Sequence, residues 1–131
     1  MTRILDAHAL IGFFEKEPWY DKVHSAFLDA VEKDTDLLLT SVNYGEVYYI
    51  ILRECGQQKV EEIEKIMQTL PIEIVDVDVA ISREAACFKA KYKLSYADCF
   101  AAALTKLKKG ELLTGDKEFE KLKEQIRIYW P

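Results

Sequence analysis

Four acidic residues stand apart in this sequence: Asp6, Glu46, Asp98 and Asp116. The chain carries 23 Asp and Glu residues, and most fall in mixed charge runs such as Glu61-Glu62-Ile63-Glu64-Lys65 and Glu118-Phe119-Glu120-Lys121. Such runs are solvated helix faces. Asp6 instead follows directly on Arg3-Ile4-Leu5, and Asp116 follows closely on Leu112-Leu113-Thr114. Each thus lies at the carboxyl end of a predicted strand, where an open parallel sheet forms its ligand crevice. Glu46 (between Gly45 and Val47) and Asp98 (between Ala97 and Cys99) fall in the first turns of two predicted helices. Four carboxylates around one crevice would repel each other and retain protons. A hard divalent cation relieves that repulsion, and an oxygen-only donor set suits Mg²⁺ or Mn²⁺. No paired His or Cys accompanies them, as a Zn²⁺ site would require. His8 and His24 are isolated, although His8 is near enough to Asp6 to line the same crevice. A metal so held lowers the pKa of a bound water and offsets charge on a phosphodiester, so the chemistry indicated is phosphodiester hydrolysis.

Each acid also has a purely structural reading. Asn43-x-x-Glu46 and Ser95-x-x-Asp98 have the form of capping boxes. Asp116 can cap the helix that follows Gly115, and Asp6 can cap its own. What separates the chemical reading is the expected convergence of all four on one crevice.

The elements that must position these residues alternate between strand and helix. A strand over Arg3-Ile4-Leu5 leads into a helix through Leu10, Phe13 and Phe14. Pro18 suits the first turn of the next helix, whose apolar face is Val23, Phe27, Ala30 and Val31. Leu37-Leu38-Leu39 is a strand, with Thr40 to Asn43 as a turn or cap before a helix carrying Val47, Ile50 and Ile51. Gly56 closes that helix. Val60, Ile63, Ile66, Met67 and Leu70 mark another, ended by Pro71. Ile72 to Val77 reads as a strand, followed by a helix through Ile81, Ala85, Phe88 and Tyr92. A further helix starts after Ser95, buries Ala97, Phe100, Ala101 and Leu104, and ends at Gly110. Leu112 to Thr114 is a strand, Asp116 opens a short helix, and Ile126 to Ile128 is the last strand. The alternation predicts an α/β fold with a mainly parallel sheet and right-handed crossovers.

Composition is consistent with one folded domain over residues 1–131: 50% of residues are hydrophobic and 31% charged. No apolar run approaches the roughly 20 residues that span a bilayer. The start, Met1 to Asp6, is too short and too soon charged for a secretory signal, so the expected location is the cytoplasm. Cys55, Cys87 and Cys99 form no C-x-x-C pair, and each is expected as a buried thiol within a helix. The net charge of −5 is unusual for a protein that binds nucleic acid. A basic rim around an acidic pocket would reconcile the two, with Arg53, Lys89, Lys91 and Lys93 as candidate phosphate contacts, although solvated helix faces account for them better.

Four segments together resemble a known family. They are Ile4-Leu5-Asp6-Ala7-His8-Ala9-Leu10-Ile11, Ser41-Val42-Asn43-Tyr44-Gly45-Glu46-Val47, Leu94-Ser95-Tyr96-Ala97-Asp98-Cys99-Phe100-Ala101-Ala102-Ala103, and Leu113-Thr114-Gly115-Asp116-Lys117-Glu118-Phe119. In this order and spacing they look like the PIN domain, and specifically the VapC-type toxins of prokaryotic toxin–antitoxin pairs. The resemblance implies a three-layer α/β/α fold and Mg²⁺- or Mn²⁺-dependent endoribonuclease activity. It also implies a homodimer and a cognate antitoxin that inhibits it. Asp6, Glu46, Asp98 and Asp116 would then be the catalytic, metal-binding set, with Thr114, and with it Ser41, as supporting polar residues. Glu118 would stand for a further acid that the family often places two residues beyond the fourth. Ala7 replaces the small hydroxyl residue usual after the first Asp, and His8 replaces a frequent Asn. Two other classes compete. A PIN-like scaffold without activity would serve as a binding module. A phosphotransfer protein would need an acidic neighbour beside Asp6, or Asp-x-Asp where position 8 is His.

Overall fold

The computed structural model describes residues 1–130. Five strands, β1 (Arg3–Leu5), β2 (Leu37–Thr40), β3 (Ile72–Val75), β4 (Glu111–Leu113) and β5 (Arg127–Tyr129), form one sheet in the order β3-β2-β1-β4-β5. Every neighbouring pair is parallel. Six helices cover the two faces: α1 (Ala7–Phe14), α2 (Tyr20–Glu32), α3 (Ser41–Cys55), α4 (Gln57–Thr69), α5 (Val79–Lys91) and α6 (Tyr96–Lys108). A 3₁₀ segment, Lys117–Leu122, joins β4 to β5. The expected three-layer α/β/α architecture is therefore present, with a sheet that is parallel throughout.

Strand periodicity divides the core. Leu5, Leu37, Leu39 and Leu113 pack with α1 to α4 on one face. Ile4, Leu38 and Leu112, the alternate positions, pack with α5, α6 and the 3₁₀ segment on the other. Strands buried on both faces need continuous apolar runs, which is why Leu37-Leu38-Leu39 shows no alternation. Ile4, Leu5, Leu39, Leu112 and Leu113 are fully buried, each burial contributing about 1.5–3 kcal/mol.

The topology places the site. From β1 the chain winds through β2 to β3 on one side, then returns to lay β4 on the other side of β1. A right-handed crossover that reverses direction must put its helices on the opposite face, so α5 and α6 cross over. The carboxyl ends of β1 and β4 thus flank the switch point, where a crevice opens between diverging connections.

Several boundaries differ from expectation. β3 stops at Val75 rather than Val77, because this edge strand pairs only with β2 and its last partner is Thr40. β4 stops at Leu113 because its partner β1 ends at Leu5. β5 is Arg127–Tyr129, since the Ile126 N–H still closes a helical turn onto the Leu122 carbonyl. Pro18 lies ahead of α2, whose N-cap is Trp19. α6 ends on Lys109 in the left-handed conformation, with Gly110 following. Cys99 is buried, but Cys55 and Cys87 are exposed, on the outward sides of α3 and α5. Val31 and Ile66, expected on apolar faces, are also exposed. No helix among the described residues is long and apolar enough to cross a membrane.

Candidate active site

Among the described residues, four of the five buried polar side chains, Asp6, Thr40, Asn43 and Thr114, stand at or just beyond the carboxyl ends of β1, β2 and β4. Buried polar groups persist only when hydrogen-bonded, and here the bonds assemble a site. Asp6 leaves β1 and caps α1, its Oδ1 accepting from the Ala9 N–H at 2.8 Å. Its Oδ2 accepts from the Thr114 hydroxyl at 2.5 Å, tying the end of β1 to the end of β4. The same hydroxyl oxygen accepts from the Asp116 N–H at 3.0 Å. Asp116 in turn caps the 3₁₀ segment, accepting from the Glu118 N–H at 3.0 Å. The capping role and the site position coincide in both acids.

On the other side, Thr40 ends β2 and caps α3. Its Oγ1 accepts from the Asn43 N–H at 3.0 Å and donates to Asn43 Oδ1 at 2.6 Å. Asn43 is therefore inside the helix, not its cap, and Glu46 sits one turn deeper than the expected capping box would place it. The freed Asn43 amide does other work: Nδ2 donates to Glu46 Oε1 at 3.3 Å and to the Ala97 carbonyl at 3.1 Å. That pair of bonds draws the first turn of α6 against α3 and brings Asp98 beside Glu46. Ser95 caps α6 as expected, accepting from the Asp98 N–H at 3.1 Å.

Glu46, Asp98 and Asp116 line one cleft of about 350 Å³, together with His8 and Ser95. Asp6 is only 1% exposed and closed off from solvent. Burial, reinforced by the charges of Asp98 and Asp116, pushes the Asp6 carboxyl from 3.8 up to about 7, against the opposing hydrogen bonds from Thr114 and Ala9. Burial also raises Glu46, with further upward push from Asp98 and Asp116. Asp98 is raised by burial and by Asp116, with His8 pulling the other way. Asp6, Glu46 and Asp98 thus each resist ionisation, with the charge of Asp116 acting on all three. Glu118 stands at the margin, exposed, its carboxylate paired with Lys121 at 2.5 Å while its charge adds to the rise of Asp98.

Not every expected residue is brought in. The Ser41 hydroxyl accepts from the Val77 N–H at 3.1 Å, fastening the segment after β3 rather than meeting a carboxylate. Arg53 lies over the Tyr49 ring, and Lys89 donates to the Leu94 carbonyl at 2.7 Å. Neither these two nor Lys91 and Lys93 line the cleft, whose rim instead adds Glu15, Glu17 and Glu54. Thr40 and Asn43 were the residues sequence reasoning missed. The signal for Thr40 was present, since a Thr closing an apolar run is a helix-start residue.

The donor chemistry fits a hard divalent cation: carboxylate oxygens only, with unfilled lone pairs on Asp6 beyond its two hydrogen bonds. No group of three or more His, Cys, Asp or Glu side chains among the described residues stands close enough together to hold a metal ion on its own. Mg²⁺ keeps several waters and takes one or two carboxylates directly, so it needs no such group.

A profile of the PIN domain matches residues 3–125. The chain belongs to the PIN domain family. The same fold recurs in solved toxin–antitoxin structures. VapBC2 of Rickettsia felis, bound to a promoter DNA fragment, superposes with a TM-score of 0.78 at 12% identity, over 100% of this chain and 99% of the other. DNA-bound VapBC of Salmonella typhimurium gives 0.78 at 15% identity, over 98% and 97%. VapC20 of Mycobacterium tuberculosis, a toxin that cleaves the sarcin–ricin loop, gives 0.71 at 11% identity, over 99% and 100%. At such identities the likeness establishes the PIN fold alone. No curated protein matches the sequence.

Proposed function

We propose that this PIN domain, acting as one unit over residues 1–131, is a Mg²⁺- or Mn²⁺-dependent endoribonuclease and the toxin of a toxin–antitoxin pair. The observation that carries the reading is the convergence of Glu46, Asp98 and Asp116 on one cleft at the switch point of the sheet, with Asp6 buried and tied to Asp116 through Thr114. A buried carboxyl raised to about 7 is costly to the fold unless a cation compensates it. Asp6, Glu46, Asp98 and Asp116 would hold that ion, directly or through its waters. When bound, it supplies an activated water and charge compensation at a phosphodiester. Thr114 orients the Asp6 carboxylate and the backbone of Asp116 together. Asn43 sets the separation of Glu46 and Asp98.

The solved relatives in complex with antitoxins support a cognate antitoxin for this chain. Tyr49, Leu52 and Ile66 on α3 and α4 expose apolar surface suited to a homodimer or to that partner. The reading is tested by incubating structured and unstructured RNAs with the protein in Mg²⁺, Mn²⁺ or EDTA, with Asp98→Asn as control. Cleavage that requires the metal and vanishes in the variant is expected. Metal binding without cleavage of any RNA would favour a binding module on a PIN scaffold.

A further inference from the structure

A larger cavity, of about 840 Å³, opens beside the carboxylate cleft. Trp19 lines both, and Gly115, between Thr114 and Asp116, lines the larger one. Trp130, 37% exposed, also contributes to its wall. These two are the only tryptophans of the chain.

Trp19 is held firmly. Its indole stacks on His8, with ring centroids 4.7 Å apart and planes 19° from parallel. Gly12 makes room for it, since a Cβ there would lie 1.9 Å from the indole nitrogen. Trp19 is thus a fixed platform whose neighbour, His8, lines the carboxylate cleft. Lys22 and Lys117 line the same cavity, and neither is in a salt bridge among the described residues. Asp21 and Glu120 balance their charge. A cavity without net charge gains little from a phosphate alone. Two indoles gain much from a flat aromatic ligand, and lysines without an ion-pair partner beside them, Lys22 over the Tyr129 ring at 5.7 Å, suit a ligand that also carries phosphate.

We propose that this cavity is a nucleobase subsite for single-stranded RNA. A base adjacent to the scissile phosphate rests against Trp19 and Trp130, while Lys22 and Lys117 meet the neighbouring backbone phosphates. This rests on the nuclease reading, and it deepens that reading by naming an unpaired base as the recognised element. Stacking on aromatic side chains is sequence-tolerant and supplies a large share of single-strand affinity.

Because both tryptophans line the cavity, intrinsic fluorescence reports on it directly. The test titrates AMP, GMP, CMP, UMP and ribose 5-phosphate into the full chain in EDTA, so that phosphate bound through a metal in the carboxylate cleft does not contribute. Saturable quenching by at least one nucleotide, and none by ribose 5-phosphate, is expected. Trp130→Ala should weaken that nucleotide roughly tenfold, as loss of one stacking partner implies. The same variant should raise KM for cleavage of an unstructured oligoribonucleotide by a similar factor, with the larger effect in KM rather than kcat. Trp130→Phe should recover most of the loss. Absence of quenching by all four nucleotides, or equal quenching by ribose 5-phosphate, overturns the subsite. Quenching by a blocked phenylalanine-containing tetrapeptide, with none by nucleotides, assigns the cavity to a protein partner instead. Nucleotide quenching without any RNA cleavage would refute the nuclease reading and leave the base site standing.

Discussion

Replacing Asp6 by Asn should stabilise the metal-free protein at high pH and destabilise it at low pH. In the fold the Asp6 carboxyl is raised from 3.8 to about 7, chiefly by burial. Between those values the folded state keeps a proton that the unfolded chain has released. Stability therefore falls as pH rises through this window, by up to about 1.4 kcal/mol per pH unit, and levels off above about 7. The full effect is roughly 4 kcal/mol. Asn cannot titrate, so the variant lacks this slope. It keeps an acceptor for the Ala9 N–H but turns the carboxamide N–H₂ toward the Thr114 hydroxyl, which can no longer donate there, a loss of one hydrogen bond worth about 1 kcal/mol. The variant should then be about 3 kcal/mol more stable than the parent at pH 8, and about 1 kcal/mol less stable at pH 4. At about 4 °C per kcal/mol, the alkaline difference corresponds to a rise in Tm of around 12 °C. Thermal or urea unfolding in EDTA across this pH range measures both limbs. Equal or lower stability of Asp6→Asn at pH 8 would show that the carboxylate serves the fold as a cap and carries no electrostatic strain. Mg²⁺ should narrow the difference by stabilising the parent more than the variant, as a ligand that binds the native parent more tightly does.

Three further substitutions probe the supporting residues. Thr114→Val removes the hydroxyl that joins Asp6 to Asp116 while keeping side-chain shape. It should push the Asp6 carboxyl higher still and lower Mn²⁺ affinity about 10- to 100-fold, readable by calorimetry. Asn43→Ala strands the Thr40 hydroxyl and the Ala97 carbonyl and frees α6 from α3. A loss of about 2–3 kcal/mol in urea unfolding is expected, together with loss of cleavage from a displaced Asp98. Gly12→Ala drives a methyl group into the Trp19 indole, so a changed tryptophan emission and a cost of about 1–3 kcal/mol should follow.

Local pattern made much of this molecule legible. Strands buried on both faces announce themselves as short apolar runs, and the acids that follow two of them, Asp6 and Asp116, stand out by position, although only Asp116 lines the cleft while Asp6 is buried away from it. Glu46 and Asp98 were not separable from ordinary helix caps, and their choice leaned on family resemblance. The reason lies in Thr40, Ser41 and Asn43, all good capping residues within four positions. The fold selects Thr40 among them as the residue that ends β2 and caps α3, which turns Asn43 inward. The bond from Asn43 to the Ala97 carbonyl spans 54 residues of chain, so no local pattern encodes it. Strand ends shifted by one or two residues because each strand stops where its partner does. The exposed thiols of Cys55 and Cys87 show the converse, since apolar neighbours in sequence do not fix which side of a helix faces the core.

The central claim is that these carboxylates act together on one divalent cation. Mn²⁺ binding followed by titration calorimetry, in the parent and in Asp6→Asn, Glu46→Gln, Asp98→Asn and Asp116→Asn, tests it most directly. Binding should be saturable in the parent, weakened in every variant, and accompanied by proton release near neutral pH as Asp6 ionises. Parent-like Mn²⁺ affinity in all four variants, or no binding to the parent, would contradict it.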